Sequence, residues 1–217
     1  MTSTTPISVK ELAELLIKKG KDTRIVVALI GAPGSGKSLL ADRLQTAINS
    51  SKMTVSAILP MDGFHYDNLI LDQKGLLSRK GAPETFDVSG LKTTIKRLRD
   101  NTETEIAVPV FDRSLEIARS GARLIPNHIN VLIVEGNYLL LNRAPWNSLA
   151  SLFDYTVSID VTEEELRRRL IQRWHNLGLE PKEGEAKVET NDLPNGRTVL
   201  TCSVPSNFLI ENNWSNQ

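Results

Sequence analysis

The eight residues Gly31-Ala32-Pro33-Gly34-Ser35-Gly36-Lys37-Ser38 satisfy G-x-x-x-x-G-K-[ST] at every fixed position. Glycines at these spacings let backbone N–H groups turn into one concavity, which suits the β-phosphate of a nucleotide. A helix predicted to start at Lys37 adds the positive end of its dipole. The Lys37 ammonium then reaches the β- and γ-phosphates, and the Ser38 hydroxyl can ligate Mg²⁺. A glycine-rich turn can match by chance, but this one follows an apolar run and opens a helical pattern, the context the chemistry needs. The nucleotide-binding candidates are Gly31, Ala32, Pro33, Gly34, Ser35, Gly36, Lys37, Ser38 and Leu39.

Other groups gain meaning from that loop. Asp62, in Met61-Asp62-Gly63-Phe64-His65, can accept a proton from an attacking hydroxyl or hold a magnesium-bound water. As a residue before glycine it can equally be an ordinary turn former. His65 follows closely, although a lone histidine is more often structural. Val131-Leu132-Ile133-Val134-Glu135-Gly136 is an apolar run ending in an acid, the position from which a carboxylate reaches Mg²⁺ beside the phosphates. Arg167, Arg168, Arg169 and Arg173 crowd one helical stretch. Arg169 and Arg173 lie one turn apart and share a face, which suits a triphosphate whose charge spreads during transfer. The competing reading is a solvated basic face paired with Glu163, Glu164 and Glu165.

The elements that must position these groups follow from periodicity. Arg24 to Ile30 is a nearly continuous apolar run, as expected for a strand buried on both faces. Further strands are predicted at 55–59, 131–134, 155–161 and 208–210. Helical spacing is read at 9–19, from 37 with Leu40, Leu44, Ala47 and Ile48 inward, at 89–98 and at 162–177. Ser8 with Glu11, and Thr162 with Glu165, have capping-box spacing. Strands alternating with helices predict an α/β chain: a three-layer α/β/α P-loop architecture with a mainly parallel five-stranded sheet. Ligands bind such sheets at the carboxyl ends of the strands, where all four groups fall. The polar stretch from Glu180 to Gly196 is expected to be a mobile lid that excludes water, placing the lid at approximately 167–197.

The chain has 217 residues, a length that favours a single domain over 1–217. Its formal net charge is zero, so no global field draws it to nucleic acid or anionic membrane. No apolar run reaches membrane-spanning length, and the polar N-terminus lacks the regions of a secretory signal. The single cysteine, Cys202, excludes an intramolecular disulfide and is expected to act as a small apolar residue. A cytoplasmic protein without nucleic-acid or membrane partners is the expectation.

With these sites in this order, the chain resembles the phosphoribulokinase, uridine kinase and bacterial pantothenate kinase family over nearly its whole length. Met61-Asp62-Gly63-Phe64-His65 looks like the family's catalytic aspartate segment. Arg79-Lys80-Gly81-Ala82-Pro83-Glu84-Thr85-Phe86-Asp87 is similar to a pantothenate kinase segment that precedes a helix. Val108-Pro109-Val110-Phe111-Asp112-Arg113 looks like the substrate-side Pro-x-Tyr-Asp of uridine kinases. Gln172-Arg173-Trp174 and Asn191-Asp192 also occur in bacterial proteins labelled fructose transport system kinase.

The resemblance implies an ATP-dependent kinase that transfers the γ-phosphoryl group to an alcohol of a sugar, pantothenate-like or nucleoside substrate, with Mg²⁺ as cofactor and a possible homodimer. Asp62 would be the general base, with Lys37, Arg169 and Arg173 as catalytic cations. Ser38 and Glu135 would hold the metal, and His65, Arg79, Asp87, Phe111, Asp112 and Arg113 would line the acceptor pocket. Phe111 stands where uridine kinases carry tyrosine, which weakens a pyrimidine nucleoside as acceptor. The alternatives are a regulatory nucleotide-binding protein without activity and a nucleoside kinase of the uridine kinase type. A GTPase switch lacks its guanine-reading Asn-Lys-x-Asp, and Asp87-Val88-Ser89-Gly90 matches D-x-x-G only by letters.

Overall fold

The computed structural model describes residues 4–212. Strands β1 (Thr5–Pro6), β2 (Ile25–Ile30), β3 (Ser56–Pro60), β6 (Val131–Gly136), β7 (Tyr155–Asp160) and β8 (Phe208–Glu211) form one parallel sheet in the order β1-β8-β7-β2-β6-β3. The sheet thus has six strands, not five. The sixth is the two-residue β1, whose only warrant is its pairing with β8 at the far end of the chain. No local pattern marks such a segment. Strands β4 (Glu105–Asp112) and β5 (Ile117–Pro126) make a separate antiparallel ribbon that the sequence reading also lacked. Pro109 breaks the alternation of β4 at a register shift between Val108 and Val110, which hides the strand from a period-two reading.

Burial of the central strands on both faces explains their unbroken apolar runs. On one face Val26, Ala28, Ile30, Leu132 and Val134 pack against helix α4 (Val88–Asp100) and the loop carrying Tyr138 and Trp146. On the other, Val27, Leu29, Val131 and Ile133 pack against α1 (Val9–Lys19) and α2 (Lys37–Ser50). Ser8 and Glu11 close the predicted capping box on α1. In α2 the inward stripe is Leu40, Ala41, Leu44 and Ile48, whereas Ala47, expected inside, is exposed.

Helix α3 (Asn68–Gln73) follows the Asp62 segment. Helix α5 (Glu163–Asn176) carries the arginines, with Thr162 as its N-cap. The stretch expected to be a mobile lid is helical: α6 (Pro181–Lys187), a π-helical turn (Val188–Asp192) and α7 (Leu193–Cys202). Val188 and Leu193 anchor it in the core. Cys202, expected to be packed as an apolar residue, is exposed. No helix among the described residues is long and apolar enough to cross a membrane.

Candidate active site

The carboxyl ends of β2, β3 and β6 converge because the three strands are adjacent. The register pairs Leu29 with Glu135 and Pro60 with Glu135. The phosphate loop therefore leaves β2, Asp62 leaves β3, and Glu135 closes β6, all at one edge. Gly34 (φ 81°) and Gly36 (φ 84°) adopt left-handed backbone, which an L side chain would strain. A side chain at Gly36 would also collide with the Asn212 amide, 2.7 Å from the position of its Cβ. Leu39, at the start of α2, points outward and is 58% exposed.

Asp62 sits in a short 3-10 turn, Met61–Phe64, with 18% of its side chain exposed. Its Oδ2 accepts from Arg113 Nη2 at 2.8 Å. Burial works to raise the Asp62 carboxyl, but Lys37, His65, Arg113 and Arg173 outweigh it and hold the group below the usual carboxylate range. Glu135 is 5% exposed, and burial pushes its carboxyl up against the pull of Lys37. The Ser38 hydroxyl donates to Glu135 Oε2 at 3.3 Å. Ser38, Asp62 and Glu135 line one small cavity, about 180 Å³, together with Asp42 and Arg123. A hydroxyl and carboxylates of this kind form a hard oxygen donor set that fits Mg²⁺. No group of three or more His, Cys, Asp or Glu forms a metal cluster among the described residues.

A second cavity, about 190 Å³, is lined by Lys37, Asp62, His65, Phe111, Arg113 and Arg173, among others. The histidine ring lies against Phe86 and Phe111, and its Nδ1 is 2.8 Å from the Asp62 carbonyl oxygen. Burial lowers the His65 pKa against the pull of the Asp62 carboxylate. The arginine helix divides its labour. Arg168 pairs with Glu165 at 2.7 Å, as the solvated-face reading expects, whereas Arg167 pairs with Glu189, outside the acids that reading named. Arg169 also binds Glu165, at 2.6 Å, yet its guanidinium reaches the phosphate-loop carbonyl of Ser35 at 3.4 Å and Asn212 O at 2.8 Å. Arg173 turns into the cavity, where it feels both Asp62 and Asp192.

Three expected acceptor residues, Arg79, Asp87 and Asp112, are not among those lining this cavity. Asp87 caps α4, accepting from Gly90 N–H at 2.8 Å, so the letters that mimic D-x-x-G are a helix start. Asp112 holds the β4–β5 turn through Ser114, Leu115 and Arg119, and these bonds depress its carboxyl to about 2. Arg79 donates to Thr190 O and Asn191 Oδ1, both at 3.3 Å, while Ser78 and Lys80 line the cavity in its place. Asp87→Ala should therefore reduce stability by about 1 kcal/mol, seen as a lower urea midpoint, and leave steady-state constants unmoved.

The structure also brings Asn137, Lys187, Thr190, Asp192 and Asn195 to the cavity wall, none of which the sequence reading assigned to the site. The only signal available was the Asn191-Asp192 pair, noted without a role.

A parallel sheet with a glycine-rich phosphate loop between its central strand and a covering helix defines the P-loop α/β class of protein. The chain belongs to the Phosphoribulokinase / Uridine kinase family, whose model matches residues 26–178. It is 38% identical over 189 residues to "Uncharacterized protein YggC" of Escherichia coli K12, covering 87% of this chain and 78% of that one. It is 33% identical over 195 residues to "Putative uridine kinase C227.14" of Schizosaccharomyces pombe, covering 87% and 83%. Among solved structures, a "putative fructose transport system kinase" from Silicibacter sp. TM1040 superposes with a TM-score of 0.86. The two are 35% identical, covering 96% of this chain and all of the other. A "Pantothenate kinase" of Listeria monocytogenes is a further relative, 26% identical over 170 residues and covering 77% of this chain and 55% of that one.

Proposed function

We propose that the chain transfers the γ-phosphoryl group of ATP to a hydroxyl of a small alcohol, with Asp62 as general base. The observation that carries this reading is one cavity lined by the phosphate-loop Lys37, the carboxylate Asp62 and the guanidinium of Arg173. The acceptor O–H breaks as its oxygen bonds to the γ-phosphorus, the proton passes to Asp62, and the bond to the β-phosphate oxygen breaks to release ADP.

Asp62 is suited to receive that proton because the surrounding cations keep it ionised. Its Oδ2 is held by Arg113, which orients the carboxylate and leaves Oδ1 for the acceptor. Lys37 and Arg173 offset the charge that spreads over the phosphoryl oxygens, and Arg169 steadies the loop beneath them. Ser38 and Glu135 would hold Mg²⁺, which would supply neutralisation of the phosphate charge. The test is ADP release from ATP and Mg²⁺ over a panel of sugars, alditols, hydroxy acids, vitamin alcohols and nucleosides. Acceptor-dependent release is expected; release at the water background with every alcohol would sink the reading.

A further inference from the structure

The far wall of the acceptor cavity comes from a segment that the phosphoryl chemistry does not use. Between α6 and α7 the backbone winds one π-helical turn, Val188–Asp192. Such turns recur at functional sites because the extra residue re-aims the side chains around it. Here Thr190, Asn191 and Asp192 line the cavity, with Asn195 one turn further on. The turn is pinned across the cavity: Asn191 Nδ2 donates to Lys80 O at 2.9 Å, and Arg79 donates to Thr190 O.

The chemistry of this wall is that of a hydrogen-bond acceptor. Asp192 Oδ2 accepts the Trp174 indole N–H at 2.7 Å, and Oδ1 takes no hydrogen bond among the described residues. Behind it, Asn195 Nδ2 faces Asn191 Oδ1 at 3.3 Å, which leaves Asn195 Oδ1 buried without a partner. Asn137 Oδ1, on the same cavity, is likewise unpartnered among the described residues. Buried acceptors call for O–H or N–H donors.

The cations nearby are mostly engaged. Lys80 donates to Asn68 Oδ1 and Glu116 O, each at 2.7 Å, and Arg113 holds Asp62. Lys187 lies 4.2 Å over the Trp174 ring, at the exposed rim. Lys37 and Arg173 serve the phosphates in the reading above. An acceptor carboxylate would thus meet Asp192, whereas sugar hydroxyls would donate to the unpartnered acceptors of the wall. The cavity, about 190 Å³, falls below the roughly 300–1,000 Å³ of clefts for drug-sized ligands. Phe111 and Trp174 add apolar faces for C–H groups.

We propose that this wall selects a neutral polyhydroxylated acceptor of about monosaccharide size, with Asp192 accepting hydrogen bonds from hydroxyls that do not react. The proposal rests on the phosphoryl-transfer reading and assigns Asp192 to specificity, not to the chemical step.

The experiment compares ADP release with aldoses, ketoses and alditols against single-hydroxyl acids and nucleosides, in the wild type and in Asp192→Asn. Asparagine keeps an oxygen for the Trp174 indole, so the fold is expected to persist, checked by the melting temperature. Polyols are expected to support turnover, and Asp192→Asn to raise the KM of the best polyol about tenfold or more. Its kcat and the KM for ATP should stay within about threefold. A deoxy analogue lacking one non-reacting hydroxyl should lose affinity similarly in the wild type and lose little more in the variant. Preference for a single-hydroxyl acid or a nucleoside overturns the inference while leaving phosphoryl transfer intact. An unchanged polyol KM in a folded Asp192→Asn protein overturns it as well. Release at background with every alcohol instead removes the transfer reading, and this inference with it.

Discussion

Replacing Asp62 with asparagine is expected to lower kcat by about 10²- to 10⁴-fold, the usual contribution of a positioned general base. The change is nearly isosteric, so the oxygen that meets Arg113 Nη2 at 2.8 Å is retained while basicity and charge are removed. The nucleotide contacts proposed for residues 31–39 do not pass through this side chain, so ATP affinity should change little. Single-turnover kinetics with a saturating acceptor, beside a direct nucleotide titration, separate the two quantities. Transfer by Asp62→Asn at the wild-type rate would mean that the proton leaves by another route.

The pH dependence carries the same assignment. Asp62 is held below the usual carboxylate range in the folded protein, so the base is competent at neutral pH and is lost as pH falls through its depressed pKa. The acidic limb of kcat/KM should therefore lie at or below the pH at which an ordinary aspartate titrates.

Lys37→Ala should remove more than a phosphate contact. Deleting one preorganised charge at the transferring group commonly reduces kcat by about 10²- to 10³-fold. Lys37 is also the largest charge that favours ionised Asp62, and the largest that favours ionised Glu135. Its loss leaves burial less opposed at both carboxylates, so both pKa values should rise. The acidic limb of the pH–rate profile should then move to higher pH than in the wild type, and metal dependence should steepen toward acid. A rate loss uniform across pH would confine Lys37 to the phosphates. Measuring kcat/KM from acid to neutral pH at several Mg²⁺ concentrations distinguishes these outcomes.

Much of the site was legible because its parts are local in sequence. The phosphate loop is eight contiguous residues whose glycines are needed for backbone reasons alone, and Gly34 and Gly36 do take left-handed conformations. Glu135 is legible because a fully buried strand reads as an apolar run and ends in a conspicuous acid. Asp62 follows a strand of the same kind.

The differences between expectation and structure have equally physical origins. Asp87 and Asp112 are acids beside segments that do reach the site, and letters alone cannot distinguish a ligand from a helix cap or a turn anchor. Asp87 gives Oδ1 to the Gly90 N–H, and Asp112 gives its oxygens to Ser114, the Leu115 N–H and Arg119. The polar stretch 180–196 lacks the apolar stripe of an ordinary surface helix. It is helical because a few buried residues, Val188 and Leu193 among them, anchor it.

The sequence by itself determined the phosphate loop, the parallel α/β architecture and the two carboxylates, because these depend on short-range backbone geometry and on burial patterns within single elements. Only the tertiary structure decided which arginine of α5 enters the cavity, how β4 and β5 pair around Pro109, and that Asp192 lines the same cavity as Lys37. Those outcomes depend on contacts between residues far apart in the chain, such as Arg79 with Thr190 and Arg113 with Asp62. Such contacts form only when the sheet has brought the segments together, and no local pattern encodes them.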